Sequence, residues 1–370
     1  MFGLVLAGGG VRGAYHMGVW KALRETDTEI SAVSGSSIGA INGALVAQGS
    51  FETALEMWER ISLSDIVSLP GELKSETDLF DLKNIAKLAR LARRGENITM
   101  EPLERLLHRV IDEDAVRSSP VSFGLTAYSL TEKRLVTLYK EDIPKGKLIP
   151  YLMASASLPG FKPRGIDGEK FIDGSVGNTM PVDMIMRRGI DDIITVNVRG
   201  VGFYRDFNTS GRNIIPIEWK HAALGTMEFD GAAIKRCIRE GYLDTLRTFG
   251  RLWGSECYFD IAEYESVKSR YGDGIINGIQ HAAKAFGVDC LRVAAFDELV
   301  KEVTDIYASE LRRETKPELP ALDDKGLILG LAAALSSEGF GFAKSKLDIL
   351  GKNYGAASAL VYFKRKTEGV

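Results

Sequence analysis

The sequence predicts an α/β chain with a mainly parallel central sheet flanked by helices, followed by a mostly helical C-terminal region. Three observations carry this. Residues 2–7 form a near-continuous apolar run, as expected of a strand buried on both faces of a parallel sheet. A second short run at 30–34 follows one helical pattern later, so the opening reads β-α-β-α. Beyond about Asp260 the pattern turns helical, with breaks at 272–274, Gly287 and 316–320. The 370 residues are 45% hydrophobic and 26% charged, enough to bury a full core. A net charge of -3 gives no electrostatic reason to expect a nucleic-acid partner.

Gly8-Gly9-Gly10-Val11-Arg12-Gly13 ends the first strand, and Tyr15, Val19, Ala22 and Leu23 mark a helix over about 13–24. The strand 30–34 runs into Gly35-Ser36-Ser37-Ile38-Gly39 and a small-residue helix over 38–48. Both glycine-rich loops therefore fall at strand C-terminal ends, where wound parallel sheets carry their working loops. Residues 51–114 are helical and more polar (52–61, 81–94, 100–112), with Arg90, Arg93 and Arg94 clustered. A solvated face is the plain reading there, and a helical lid or phosphate-attracting rim the sharper one. Residues 121–130 and 134–139 alternate around Thr131-Glu132-Lys133, a hairpin signal. A helix over 148–158 stops at Pro159-Gly160, and a second hairpin-like stretch ends in Phe171-Ile172-Asp173-Gly174. Residues 192–198 read as another buried strand and 229–249 as an amphipathic helix.

The domain boundary is expected near Asp260, giving 1–260 and 261–370, with 51–114 as the candidate lid. Leu327, Ile328, Leu331 and Leu335 form a stripe read as core or subunit interface ahead of membrane anchor, which leaves a homo-oligomer through these helices open. Glu338, Lys344 and Lys346 flank a Gly/Phe-rich patch at 339–342, so peripheral membrane contact is open as well. Cys237, Cys257 and Cys290 are odd in number and widely spaced, and are expected to be reduced thiols in a cytoplasmic protein. The first seven residues read as a strand and not as a leader, and no apolar run reaches membrane-spanning length.

Chemistry centres on Ser37 in Gly-x-Ser-x-Gly. A serine hydroxyl becomes a useful nucleophile when a tight turn exposes it and a neighbouring base takes its proton. Gly35 and Gly39 leave room for that turn, and the helix behind it favours developing negative charge. The N–H groups of the 8–13 loop suit an oxyanion hole. None of His16, His108, His221 and His281 is placed for a Ser-His-Asp triad. Asp173, after an apolar strand and before Gly174, can serve as the base of a two-residue dyad, although Asp-Gly is also a plain turn signal. No acidic or histidine cluster has metal-ligand spacing.

These motifs, in this order, look like those of the patatin-like phospholipases of bacterial type. Supporting stretches are 13–19, Ala154-Ser155-Ala156-Ser157-Leu158-Pro159-Gly160-Phe161-Lys162-Pro163, Asn178, Pro181 and 239–242. The resemblance covers about residues 1–250. It implies a three-layer α/β fold, a Ser–Asp dyad and hydrolysis of acyl esters of lipids without metal or cofactor. Carried over, Ser37 is the nucleophile, Asp173 the base, and Gly8, Gly9, Gly10, Arg12 and Gly13 the oxyanion loop, with Gly10 and Arg12 the direct contributors. Departures are Ile38 where a small residue is frequent, which narrows the acyl pocket, Ser36 in place of Thr, and Ser175 in place of Gly or Ala. Residues 261–370 match no recognised family.

Gly8-x-Gly10-x-x-Gly13 also fits a dinucleotide fingerprint, but the acidic residue expected at the end of the second strand is missing. A transacylase on the same dyad, or a non-catalytic module binding lipid or protein, are the remaining alternatives.

Overall fold

The computed structural model describes residues 1–68, 99–157, 161–220, 225, 228–313, 323–336 and 347–368. The expected helix 81–94, the Arg90, Arg93 and Arg94 cluster, the Pro159-Gly160 stop, His221, and Glu338 with the 339–346 patch lie outside them. The described residues divide into two compact units, Met1–Thr245 and Leu246–Val370. The sequence-based boundary at Asp260 falls inside the second.

In the first unit the strands are β1 (Phe2–Leu6), β2 (Ile30–Ser36), β3 (Ser122–Ser129), β4 (Arg134–Tyr139), β5 (Arg164–Ile166), β6 (Glu169–Asp173), β7 (Asp192–Asn197) and β8 (Asn213–Glu218). They form one sheet in the order β5-β6-β3-β2-β1-β7-β8, with β4 also paired to β3. The run β3-β2-β1-β7-β8 is parallel, and β4, β5 and β6 are antiparallel additions. Strand β8 escaped the sequence reading because Pro216 interrupts Ile214, Ile215 and Ile217. As the end of the sheet order it is an edge strand, where a missing N–H is tolerated.

The sheet carries helices on both faces. Helix α1 (Ala14–Glu25) follows the glycine loop, and α2 (Ile38–Gln48) packs on β1, β2 and β3. Further helices are α3 (Phe51–Arg60), α4 (Glu101–Val110), α5 (Glu113–Ser118), α6 (Leu148–Ser155) and α7 (Val182–Met186). Val182 and Ile185 of α7 close a core with Val5, Ala32 and Ile193. Helix α8 (Gly231–Thr248) crosses the division between the units.

Strand β3 is the ruler that assembles the site. Its pairing with β2 ends at Ser36 opposite Thr126, and its pairing with β6 begins at Asp173 opposite Ala127. Two strands far apart in sequence thus meet end to end along one neighbour, which sets the residue after β2 beside the last residue of β6.

The second unit holds the short pair β9 (Leu252–Trp253) and β10 (Phe259–Asp260), then α9 (Tyr264–Ala285), α10 (Phe296–Arg313), α11 (Asp324–Ser336) and α12 (Leu347–Glu368). Its core includes Trp253, Phe259, Phe296, Tyr307, Ile328 and Leu360. Ile328 and Leu331 of the expected stripe are buried in it, and Leu327 and Leu335 are half-buried. No helix among the described residues is long and apolar enough to cross a membrane.

The expectation of three reduced thiols is corrected here: Cys257 and Cys290 form a disulfide and Cys237 is a buried free thiol. After α9 the chain returns to the strand segment it left, with Tyr258 bridged to Val293. Proximity created by this return has no signature in cysteine spacing.

Candidate active site

Ser37 is the residue between β2 and α2, with φ 55° and ψ -126°. Positive φ in a non-glycine residue costs about 1–3 kcal/mol and persists when the surroundings over-determine it. They do. The Ser37 carbonyl accepts from Ala40 and Ile41 in the first turn of α2, and its N–H donates to Ser155 Oγ at 2.9 Å. A Cβ on Gly39 would overlap the Leu6 carbonyl, and one on Gly35 would overlap the Gly39 carbonyl. The turn closes only with glycine at both positions.

Ser37 Oγ donates to Asp173 Oδ2 at 2.7 Å. Asp173 Oδ1 accepts the Ser175 N–H at 2.8 Å, and the Asp173 N–H donates to the Ser157 carbonyl at 2.8 Å. Asp173 is 1% exposed and Ser37 6%. Burial pushes the Asp173 carboxyl up to about 6, against the pull of hydrogen bonds from Ser37 and Ser175. A carboxyl in that range is ionised at neutral pH yet basic enough to hold a proton, which suits a general base.

The glycine loop backs onto this pair. A Cβ on Gly8 would overlap Ser175 Oγ and stand 3.3 Å from Ser37 Cβ. Residues Gly10–Gly13 form a 3-10 turn whose opening leaves the Gly10 and Val11 N–H groups without intrahelical acceptors. The loop does not offer every donor that the sequence suggested. The Gly8 N–H donates to the Thr179 carbonyl at 3.0 Å, and the Arg12 N–H to the Gly9 carbonyl at 3.3 Å. The Arg12 guanidinium donates to the Arg199 carbonyl at 2.6 Å and lies 5.8 Å from the centre of the Trp219 ring. Arg12 braces the loop, and Gly13 makes room for Ile38, whose Cγ1 a Cβ would meet at 2.5 Å.

A cavity of about 60 Å³ opens at Ser37, lined by Val11, Ile38, Ile41, Trp58, Ile61 and Leu103 among others. Its apolar lining and small volume agree with a pocket that Ile38 narrows.

Among the described residues no histidine bonds Ser37. His16 is buried in α1 with Nδ1 3.1 Å from Asn42 Nδ2, and burial pushes its pKa down to about 3, so the ring is neutral. His108 is exposed, and His281 meets Asn353 in the second unit. Ser155, Ser157 and Ser175 were named in the sequence without a site role, and Thr179 was not named. Ser157, Ser175 and Thr179 work through backbone groups, which leave no mark on residue type, whereas Ser155 works through its hydroxyl.

Residues 4–186 match the family model described as Patatin-like phospholipase. The human patatin-like phospholipase domain-containing protein 6 is 27% identical over 215 residues, covering 57% of this chain and 14% of that protein. The patatin-like phospholipase domain-containing protein ZK370.4 of Caenorhabditis elegans is 30% identical over 202 residues, 54% of this chain and 14% of its own. A lysophospholipase of Mycosarcoma maydis is 26% identical over 208 residues, 54% of this chain and 10% of its own. The chain therefore spans a small fraction of these relatives' length. Residues 4–186, which hold both Ser37 and Asp173, are a patatin-like phospholipase domain.

Proposed function

We propose that the protein is a serine acyl hydrolase that releases fatty acids from lipid esters, phospholipids included. The observation that carries this reading is the 2.7 Å hydrogen bond from Ser37 Oγ to Asp173 Oδ2 at the end of an apolar cavity. The relatives' names, phospholipase domain proteins and a lysophospholipase, support the substrate class.

In this mechanism Asp173 takes the hydroxyl proton as Ser37 Oγ attacks the ester carbonyl. The oxyanion rests on the Gly10 and Val11 N–H groups, each such donor typically lowering the barrier by about 3–4 kcal/mol. Collapse expels the alcohol, which takes the proton back from Asp173, and the acyl chain stays on Ser37 in the apolar cavity. Water then gives its proton to Asp173 and attacks the acyl-enzyme, and Ser37 leaves with that proton returned from Asp173 as the fatty acid forms.

The test is turnover of a short-chain p-nitrophenyl ester and a lysophospholipid by wild type, Ser37→Ala and Asp173→Asn. Both variants are expected to lose about 10³-fold or more, and wild-type turnover to rise with pH through about 6 as Asp173 ionises. Full activity in Asp173→Asn overturns the dyad, and an inert wild type overturns the hydrolase.

A further inference from the structure

The segment 199–205, just after β7, is tied to the two halves of the site mainly by backbone bonds and leaves several side chains exposed. In the segment 199–205 the Arg199 carbonyl accepts from Arg12 of the glycine loop at 2.6 Å. The Phe203 N–H donates to the Ser175 carbonyl at 2.8 Å, and its carbonyl accepts the Thr179 N–H at 2.6 Å. Arg205 Nε donates to the Gly177 carbonyl at 2.9 Å, and the Tyr204 hydroxyl reaches back to the Gly200 carbonyl at 3.1 Å. The segment follows a parallel strand, so it lies at the sheet edge that also carries Ser37 and the glycine loop.

The Val201 and Phe203 side chains are not used in this bracing. Val201 is 65% exposed and Phe203 61%, with Val176 and the Tyr204 ring beside them also exposed. A lone exposed apolar residue is ordinary, but several grouped on one short segment mark an interaction surface. The segment is basic: Arg199 and Arg205 are exposed along it, against Asp206 that follows it. Apolar tips flanked by arginine fit a surface that is apolar within and anionic at its face.

We propose that the segment 199–205, with Val176, docks the protein on an anionic phospholipid bilayer, Val201 and Phe203 entering the headgroup boundary and Arg199 and Arg205 meeting lipid phosphates. Docking there brings the strand ends that carry Ser37 toward the lipid layer, so it rests on the reading of that site as a lipid-ester hydrolase. The bonds that hold the strap do not depend on the Val201 and Phe203 side chains, so these two can be changed without dismantling the site.

The full chain carrying Ser37→Ala is sedimented with phosphatidylcholine vesicles with and without one third phosphatidylserine. Binding is expected to favour the anionic vesicles and weaken with salt. Adding Val201→Ser and Phe203→Ser is expected to lower partitioning about tenfold. In the Ser37 protein the same pair should lower turnover of vesicle lipid by that factor and leave the soluble p-nitrophenyl ester unchanged. Unchanged vesicle binding in the variant, or equal loss on soluble and vesicle substrates, overturns the docking surface. Vesicle binding that needs Val201 and Phe203, in a protein inert on every ester, sustains the surface and overturns the hydrolase.

Discussion

The two units bury polar groups in opposite ways. The first holds His16, Ser37, Asn42, Lys140, Asp173, Glu240 and Asp244 in its interior, whereas in the second Gln280 is the buried polar side chain among the described residues. Gln280 Oε1 accepts the N–H groups of Ser255, Glu256 and Cys257, at 2.8, 3.2 and 3.3 Å. Its partners are backbone donors that never leave, so it fixes a loop and does nothing else. The Asp173 carboxylate instead has a hydroxyl among its partners, one that can lose its proton. Burial raises the cost of an unpaired polar group in both settings, but only at Asp173 is the group ionisable, so that the cost becomes proton affinity. The lesson is that a buried polar atom is read by whether its partner can change state.

The largest effects come from close backbone approaches in each unit. A Cβ on Gly39 meets the Leu6 carbonyl, and a Cβ on Gly278 of α9 meets the Gly355 carbonyl of α12. Gly39→Ala must part β1 from α2 and is expected to cost about 4–5 kcal/mol, with ester turnover falling together with the fold. Gly278→Ala need only shift two helices, about 2–3 kcal/mol, and should leave turnover intact. Hydrogen exchange over 264–285 and ester kinetics on both variants check this. Turnover surviving Gly39→Ala would undo the comparison at its root.

Next is the cystine. Cys257 and Cys290 close a loop of sequence separation 33, for which the chain-entropy model gives about 3–4 kcal/mol. Cys257→Ser with Cys290→Ser should strip exchange protection from 257–303, with no change over 30–48. Denatured, unreduced protein should take up thiol reagent at Cys237 alone. Uptake at all three would restore the reduced-thiol expectation, and with it the case for a reducing compartment.

Proton linkage sharpens the contrast inside the first unit. Asp173 near 6 in the folded protein, against about 3.9 unfolded, means that the fold holds this proton more tightly. Its ionisation therefore lowers stability as pH rises from about 4 to above 6, by about 3 kcal/mol in all. His16 near 3 has the opposite sign: the unfolded chain takes its proton first, so stability falls as pH drops below about 6.5. In wild type the two slopes offset between pH 4 and 6. Asp173→Asn removes one, so it should be more stable than wild type at pH 7.5, with the margin shrinking to nothing near pH 4. Denaturant melts at both pH values read it. A margin independent of pH would mean that the Asp173 carboxyl is not held up by burial.

Much of this was legible in the sequence because it is local. The runs 2–7 and 30–34, Gly35 and Gly39 around Ser37, and the hairpin 134–139 all declare themselves by residue type at short spacing. Asp173 was legible as a residue but not as a neighbour, since its place beside Ser37 depends on where β2 and β6 stop along β3. The Cys257–Cys290 pair, strand β8 and the brace from Arg12 to Arg199 were hidden for the same reason. Each depends on a return of the chain, and in β8 a proline argued against the strand that the sheet edge permits.

The smallest expected effect concerns Ser155. Its hydroxyl accepts the Ser37 N–H at 2.9 Å, helping to hold a backbone that positive φ makes unfavourable. Ser155→Ala leaves that buried N–H without its acceptor, a cost of about 1–3 kcal/mol that falls on the orientation of Ser37 and not on the carboxyl. kcat should drop about tenfold with KM little changed. The midpoint near pH 6 should stay where it is, because Ser175 and Ser37 still donate to Asp173. A displaced midpoint with kcat preserved would place Ser155 in the environment of Asp173, and would make the strained turn self-supporting.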